Sequence, residues 1–510
     1  MIAVLDFGSQ YTHLITRRVR ELGVEAEIFE HDISDKVLKE KTIEGIILSG
    51  GPASVFAKNA PILNKNILEL GKPILGICYG HQLLAYLLGG KVKSSRKREY
   101  GEEILEIKKE GILLKGLAKK ELVWFSHGLN VDKLPQDFEV LATTKNAPIA
   151  AFGNLDKNIF GVQFHPEVSH TPKGRKILKN FLFKICHAKK TWKIEDIKKK
   201  LIKDLKKKIG QKKVMIGVSG GVDSTVAAQL LYKAIKENLY CVFIDTGLLR
   251  KNEADEISDL FKKLGFKNFQ KVSAGDRFLK ALKGIVDPEE KRKIFAKVYF
   301  QVFLDTAKRL KKKYRFEFLA QGTIYPDRVE SGKTSKTSAL IKSHHNLSVP
   351  QSWGLKIIEP LKDFYKDEVR ELGKSLGIPE KIVGRHPFPG PGLAIRILGE
   401  VTKERIKILQ EADAIFIEEL RNFGYYDKVW QAFAALLPVR SVGVMGDERT
   451  YDFMVALRAV TSRDAMTADW ANLPNKLLKK ISSRIINQVK GINRVVYDIS
   501  QKPPATIEYE

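Results

Sequence analysis

The sequence predicts an α/β protein: two domains built on parallel sheets, followed by a smaller α+β domain. Three observations carry this. Apolar runs of strand length alternate with helical periodicity over residues 1–190 and again over 191–385. The run Val214–Val218 passes through Ser219-Gly-Gly-Val-Asp-Ser224 straight into a helical pattern, the strand–loop–helix join of a parallel sheet. Beyond the proline–glycine run His386-Pro-Phe-Pro-Gly-Pro-Gly-Leu393, which reads as a hinge, helices and strands mix without regular alternation. The expected domains are therefore 1–190, 191–385 and 386–510, and a 510-residue chain has room for three.

In the first domain, Ile2–Leu5, Ala26–Phe29, Gly45–Leu48 and Pro73–Ile77 read as buried strands and His13–Leu22 as a helix. Ligands of such a sheet sit at the carboxyl ends of its strands. The fourth strand enters Gly76-Ile-Cys-Tyr-Gly-His-Gln82, and a helix is expected over Leu83–Leu88. Gly-x-x-x-Gly with Cys78 at its centre has the form of a nucleophile elbow. The glycines permit a sharp turn, and the following helix N-terminus favours the thiolate. His165 and Glu167 stand two apart in the extended segment Gly161-Val-Gln-Phe-His-Pro-Glu167, so they share one face. Nucleophile, base and orienting carboxylate thus follow in chain order. The N–H groups of Gly51, in Ser49-Gly-Gly-Pro52, and of Tyr79 are candidate oxyanion donors. An isolated cysteine is more often a small buried hydrophobe, and Cys186 and Cys241 are read so. The elbow, His-Pro-Glu and Gly-Gly-Pro together argue otherwise for Cys78.

The second domain opens with an amphipathic helix whose stripe is Ile194, Ile197, Leu201, Ile202 and Leu205. The loop that follows comprises Ser219, Gly220, Gly221, Val222, Asp223, Ser224 and Thr225. It aims backbone N–H groups and a helix N-terminus at one point, which suits phosphate. No Gly-Lys-Ser/Thr is present, so it is not the ordinary P-loop. Asp223 makes sense beside phosphate if a divalent cation, such as Mg²⁺, arrives with it. Asp245 ends the next strand, where an acidic residue contacts ribose or is simply a strand end. In Ile341-Lys-Ser-His-His-Asn346, Lys342 is placed to neutralise a departing pyrophosphate. The adjacent histidines would face opposite sides of a strand, which argues against chelation by both.

The formal charge is +28, from 88 basic and 60 acidic residues. The lysines are spread along helical faces such as Ile194–Lys208, with no aromatic-and-basic cluster, so solvated faces are expected and nucleic acid is not. No uninterrupted apolar segment is long enough to span a membrane. Met1–Asp6 reads as a strand, not a signal peptide. The three cysteines form neither metal spacing nor a disulfide framework, which fits a reducing cytoplasm.

The motifs also carry resemblances. Cys78, His165, Glu167 and Gly-Gly-Pro resemble the class I glutamine amidotransferases over residues 1–187. This implies attack of Cys78 on the side-chain amide of L-glutamine, with Gln82 in the glutamine pocket. Ser-Gly-Gly-Val-Asp-Ser is similar to the pyrophosphate loop of N-type ATP pyrophosphatases, which adenylylate a substrate oxygen. Asp6-Phe-Gly-Ser-Gln-Tyr11, Ser126-His-Gly128, Ser441-Val-Gly-Val-Met-Gly-Asp447 and Lys502-Pro-Pro-Ala-Thr-Ile-Glu508 resemble the GMP synthase family. The resemblance implies that ATP and Mg²⁺ activate xanthosine monophosphate (XMP). It also implies that Arg277, Gln431, Lys502, Ile507 and Glu508 touch XMP, and that the third domain makes a homodimer. Two departures stand out: Leu129 follows Ser-His-Gly where the family has Asp, and Leu-Ser-Val-Pro350 replaces a longer Gly-Gly segment after Asn346. The competing readings are another ATP-pyrophosphatase ligase, such as an NAD or asparagine synthetase, and a tRNA-modifying protein.

Overall fold

The computed structural model describes residues 1–330, 354–445, 447–462 and 467–510. Lys342, both adjacent histidines and the segment after Asn346 lie outside the described residues. The described chain forms two compact units, Met1–Ile197 and the residues from Lys198 onward.

The first unit is built on a nine-stranded sheet. Its parallel half contains β1 (Ile2–Asp6), β2 (Ala26–Glu30), β3 (Gly45–Leu48) and β4 (Ile74–Ile77), the four expected strands. The other five are β5 (Lys91–Ile107), β6 (Lys120–Lys133), β7 (Glu139–Thr143), β8 (Ala151–Asn154) and β9 (Ile159–Val162). The order is β2-β1-β3-β4-β9-β8-β7-β5-β6. From β2 to β9 every pairing is parallel; from β9 to β6 every pairing is antiparallel. The sheet is therefore mixed, where the sequence suggested a parallel one. Segments 144–150 and 155–158 are too short for a crossover, so these neighbours must run antiparallel. Alternate side chains of β1 serve opposite faces: Ile2 and Val4 join one apolar cluster, Ala3 and Leu5 the other.

The second unit holds two sheets. The first comprises β10 (Lys213–Val218), β11 (Leu239–Asp245), β12 (Phe269–Ser273), β13 (Phe316–Ala320) and β14 (Lys356–Ile358). All neighbours are parallel, in the order β12-β11-β10-β13-β14. Central β10 is buried along Val214, Met215, Ile216 and Val218, as its unbroken apolar run requires. The other sheet comprises β15 (Gln431–Met445), β16 (Glu448–Thr461), β17 (Asp469–Trp470) and β18 (Ile492–Tyr497), with β18 parallel to β16 and the rest antiparallel. Helices Lys403–Asn422 and Asn475–Gln488 pack with it.

One apolar cluster runs from Met215 and Val242 through Leu393 and Ile397 to Leu477 and Ile492. The proline–glycine run packs onto this cluster through Phe388 and Leu393. It leads into a 3-10 turn, Gly392–Ile395, that is buried throughout.

Candidate active sites

Cys78 sits where β4 becomes the helix Tyr79–Leu87, at φ +53°. That left-handed backbone is rare for a non-glycine residue and marks a turn held by its surroundings. The helix begins at Tyr79, ahead of the expected Leu83. Gly76 and Gly80 make the turn possible by close approach: a Cβ on Gly76 would lie 2.5 Å from the Gly80 carbonyl, and one on Gly80 2.6 Å from that of Leu48.

His165 and Glu167 meet as the spacing predicts. Nδ1 of His165 lies 2.7 Å from Oε1 of Glu167, with both side chains buried. The segment is fixed from outside. His165 N–H donates to Trp124 O (2.9 Å), Thr171 Oγ1 to His165 O (2.7 Å), and Arg18 Nε to Glu167 O (3.0 Å). Burial opposes a charged imidazole, but the Glu167 carboxylate and the Cys78 sulfur outweigh it and hold His165 well above the ordinary histidine range. The structure therefore favours an imidazolium facing the Cys78 sulfur.

The Gly-Gly-Pro segment reaches this pair. A Cβ on Gly50 would stand 3.3 Å from His165 Cε1 and 3.5 Å from Cys78 Cβ. Tyr79 opens a helix, so its N–H has no intrahelical acceptor. Gln82 is buried, and its Nε2 donates to Leu129 O (2.9 Å) and Gln163 Oε1 (3.2 Å). The Leu129 departure is thereby given a place: its carbonyl holds Gln82 whatever its side chain, which packs with an apolar cluster.

In the second unit, the loop Ser219–Thr225 crowns the central strand of the parallel sheet. β11 and β12 lie on one side of β10, and β13 and β14 on the other. This is the topological switch point, where ligands of such sheets bind. Gly220 takes φ +78°, and Ser219 and Gly221 face solvent. Ser219 N–H donates to Ser224 Oγ (3.2 Å), and Thr225 Oγ1 donates to Gly221 O (2.8 Å), closing the loop over the N-terminus of helix Val222–Ile235. Asp245 lies at the end of neighbouring β11, accepting from Gly247 N–H (3.1 Å).

The expected nucleotide-binding tail is held firmly. Arg458 donates to the carbonyls of Ile507 (2.8 Å) and Thr506 (2.8 Å) and pairs with Asp498 (2.8 Å). Lys502 and Ala468 exchange backbone hydrogen bonds. Gln431 Nε2 donates to Glu508 Oε1 (2.6 Å), which brings two of the expected nucleotide residues together. Ile507 is buried beside Val460 and Ala468. Arg277 instead pairs with Asp305 (3.1 Å).

Sequence reasoning missed two cations here. Arg396 makes a fork with Glu508, and Lys366 Nζ holds Asp223. Lys366 opens the helix Lys366–Ser375, where a cation opposes the helix dipole; that misplacement was the available signal. Among the described residues no cluster of three or more His, Cys, Asp or Glu stands ready for a metal ion. Asp223 supplies one carboxylate beside a phosphate cradle, a donor set that fits a cation carried in by a nucleotide rather than caged by protein. Cys186 and Cys241 are buried and free, and burial pushes both thiols up. Among the described residues no helix is long and apolar enough to cross a membrane.

Known proteins match along the whole chain. Family models match at residues 3–185 (glutamine amidotransferase class-I), 193–298 (NAD synthase) and 418–509 (GMP synthase C terminal domain). A "GMP synthase [glutamine-hydrolyzing]" of Thermosipho melanesiensis is 54% identical over 512 residues, covering 100% of this chain and 99% of the relative. The protein of that name from Aquifex aeolicus is 54% identical over 510 residues, and that from Clostridium tetani 51% over 511, each with the same coverage.

Proposed function

Because the chain belongs to the glutamine-hydrolysing GMP synthase family, we propose that its first unit releases ammonia at Cys78 and its second uses ATP to prepare XMP for amination to GMP. The observation that carries the residue assignment is Cys78 at φ +53° beside the buried His165–Glu167 pair, its sulfur interacting with His165.

The Cys78 thiolate attacks the side-chain amide carbon of glutamine. The carbonyl oxygen becomes an oxyanion, received by the N–H groups of Gly51 and Tyr79. His165 gives its proton to the departing nitrogen, the C–N bond breaks, and ammonia leaves. Water, deprotonated by His165, then hydrolyses the thioester to glutamate. Glu167 keeps the imidazole oriented throughout, and Gln82 shapes the glutamine pocket.

In the second unit, the loop Ser219–Thr225 holds the β- and γ-phosphates of ATP, Asp245 the ribose, and Lys342 the departing pyrophosphate. The XMP oxygen at C2 attacks the α-phosphate and pyrophosphate leaves. Ammonia then displaces AMP, giving GMP. Activation is needed because a carbonyl oxygen is a poor leaving group. Gln431, Lys502, Ile507, Glu508 and Arg277 hold XMP. Asp223 would hold Mg²⁺, which when bound neutralises phosphate charge. We further place the protein in the cytoplasm, consistent with three free cysteines, and as a homodimer through residues 386–510.

The test is pyrophosphate release with XMP and ATP, driven by glutamine or by free ammonia. Cys78→Ala is expected to abolish the glutamine-driven reaction and keep the ammonia-driven one. Loss of both, or release independent of XMP, would overturn the assignment.

A further inference from the structure

We propose that Arg396 is a positioning residue for XMP, presenting the Glu508 carboxylate to the nucleotide; this rests on the reading that Glu508 touches XMP. Arg396 follows the buried turn Gly392–Ile395 and is itself fully buried. Its Nε donates to Glu508 Oε2 (3.0 Å) and its Nη2 to Oε1 (2.8 Å), a two-pronged fork. Two rings fix the guanidinium: Phe433 at 4.2 Å and Phe388, from the proline–glycine run, at 4.9 Å from its centre. The same run sets the third partner, since Gln431 Nε2 donates both to Pro387 O (3.1 Å) and to Glu508 Oε1.

A carboxylate offers about four acceptor positions. Arg396 takes two and Gln431 one, which leaves about one for an N–H or O–H of the ligand. Glu508 keeps that position accessible, its side chain 18% exposed against 0% for Arg396. Without Arg396, Gln431 would hold only one oxygen, and the carboxylate could turn about it. The planar, permanently charged fork fixes its plane, and an ammonium cannot reproduce this.

The test is a double-mutant cycle in the full chain using Arg396→Lys, Glu508→Gln and the double variant. The readouts are KM for XMP and kcat in ammonia-driven pyrophosphate release, XMP binding by calorimetry, and thermal midpoint. Each single variant is expected to raise KM for XMP about tenfold, the size of one lost charge-assisted hydrogen bond, with a much smaller fall in kcat. The double variant is expected to be no worse than the worse single, because both act through one carboxylate. Arg396→Lys is expected to restore most of the thermal midpoint lost in Arg396→Met without restoring KM. Strictly additive effects, or a lowered midpoint with unchanged XMP binding, would show that Arg396 only braces the fold and overturn the proposal. An unchanged KM in Glu508→Gln would instead remove the premise that Glu508 meets the nucleotide, and the proposal with it.

Discussion

Lys366 Nζ lies 2.8 and 2.6 Å from the two carboxylate oxygens of Asp223, so the one acidic side chain of the loop Ser219–Thr225 is already neutralised. Without that ammonium, and before any cation is held there, Asp223 would repel an incoming triphosphate, at about 1–4 kcal/mol for unit charges 4 Å apart near a surface. Lys366→Met is therefore expected to raise KM for ATP about tenfold in XMP-dependent pyrophosphate release. Initial rates against ATP concentration check this, and an unchanged KM would remove Lys366 from the site.

The raised proton affinity of His165 sets a pH dependence. Above the ordinary histidine value of about 6.5 the imidazolium persists, so the alkaline fall of glutaminase kcat/KM should lie well above that pH. Glu167→Gln removes a charge that holds the proton, and is expected to move the fall to lower pH. The sign for stability agrees. A raised folded-state value gives stabilisation fully present below about pH 6.5 and lost as pH climbs through the folded value. A glutaminase pH profile and urea midpoints across that range measure both.

Gly220→Ala should damage the loop and the fold together. The backbone has φ +78°, and the new Cβ would stand 2.1 Å from Ile257 Cδ1. Positive-φ strain of about 1 kcal/mol and overpacking of about 1–3 kcal/mol add to a loss of about 2–4 kcal/mol. Denaturant midpoints give the loss. ATP-dependent pyrophosphate release is expected to vanish, while a variant with full activity would mean the loop does not cradle phosphate.

The hairpin of β15 and β16 predicts an assembly. Val442 pairs with Tyr451, and Val444 lies two residues on, so the three share a face. They are 59%, 63% and 72% exposed for Val442, Tyr451 and Val444. Val442→Asp with Val444→Asp is expected to convert a dimer to monomer in light scattering after gel filtration. A wild-type monomer at micromolar concentration would refute the homodimer.

Much of this was readable in the sequence because it is local. A strand, a glycine turn and a helix are contiguous in both sites, and His165 with Glu167 needs only the two-residue period of extended chain. The antiparallel half of the first sheet was not, since β5 pairs with β7 as well as β6 and only tertiary pairing decides that. Lys366 and Arg396 were missed for the same reason. Their partners, Asp223 and Glu508, lie 143 and 112 residues away; the place of Lys366 at a helix N-terminus hinted at a partner without naming it, and Arg396 carried no such hint.

The grip of Arg396 and Arg458 on the tail imposes an order in time. A chain is made from its N-terminus and folds as it emerges. Glu508 and the carbonyls of Thr506 and Ile507 therefore appear long after the two guanidiniums that await them. Until then both positive charges lack their partners, and burying them alone is costly. These contacts of the tail are consequently among the last of the described chain to form.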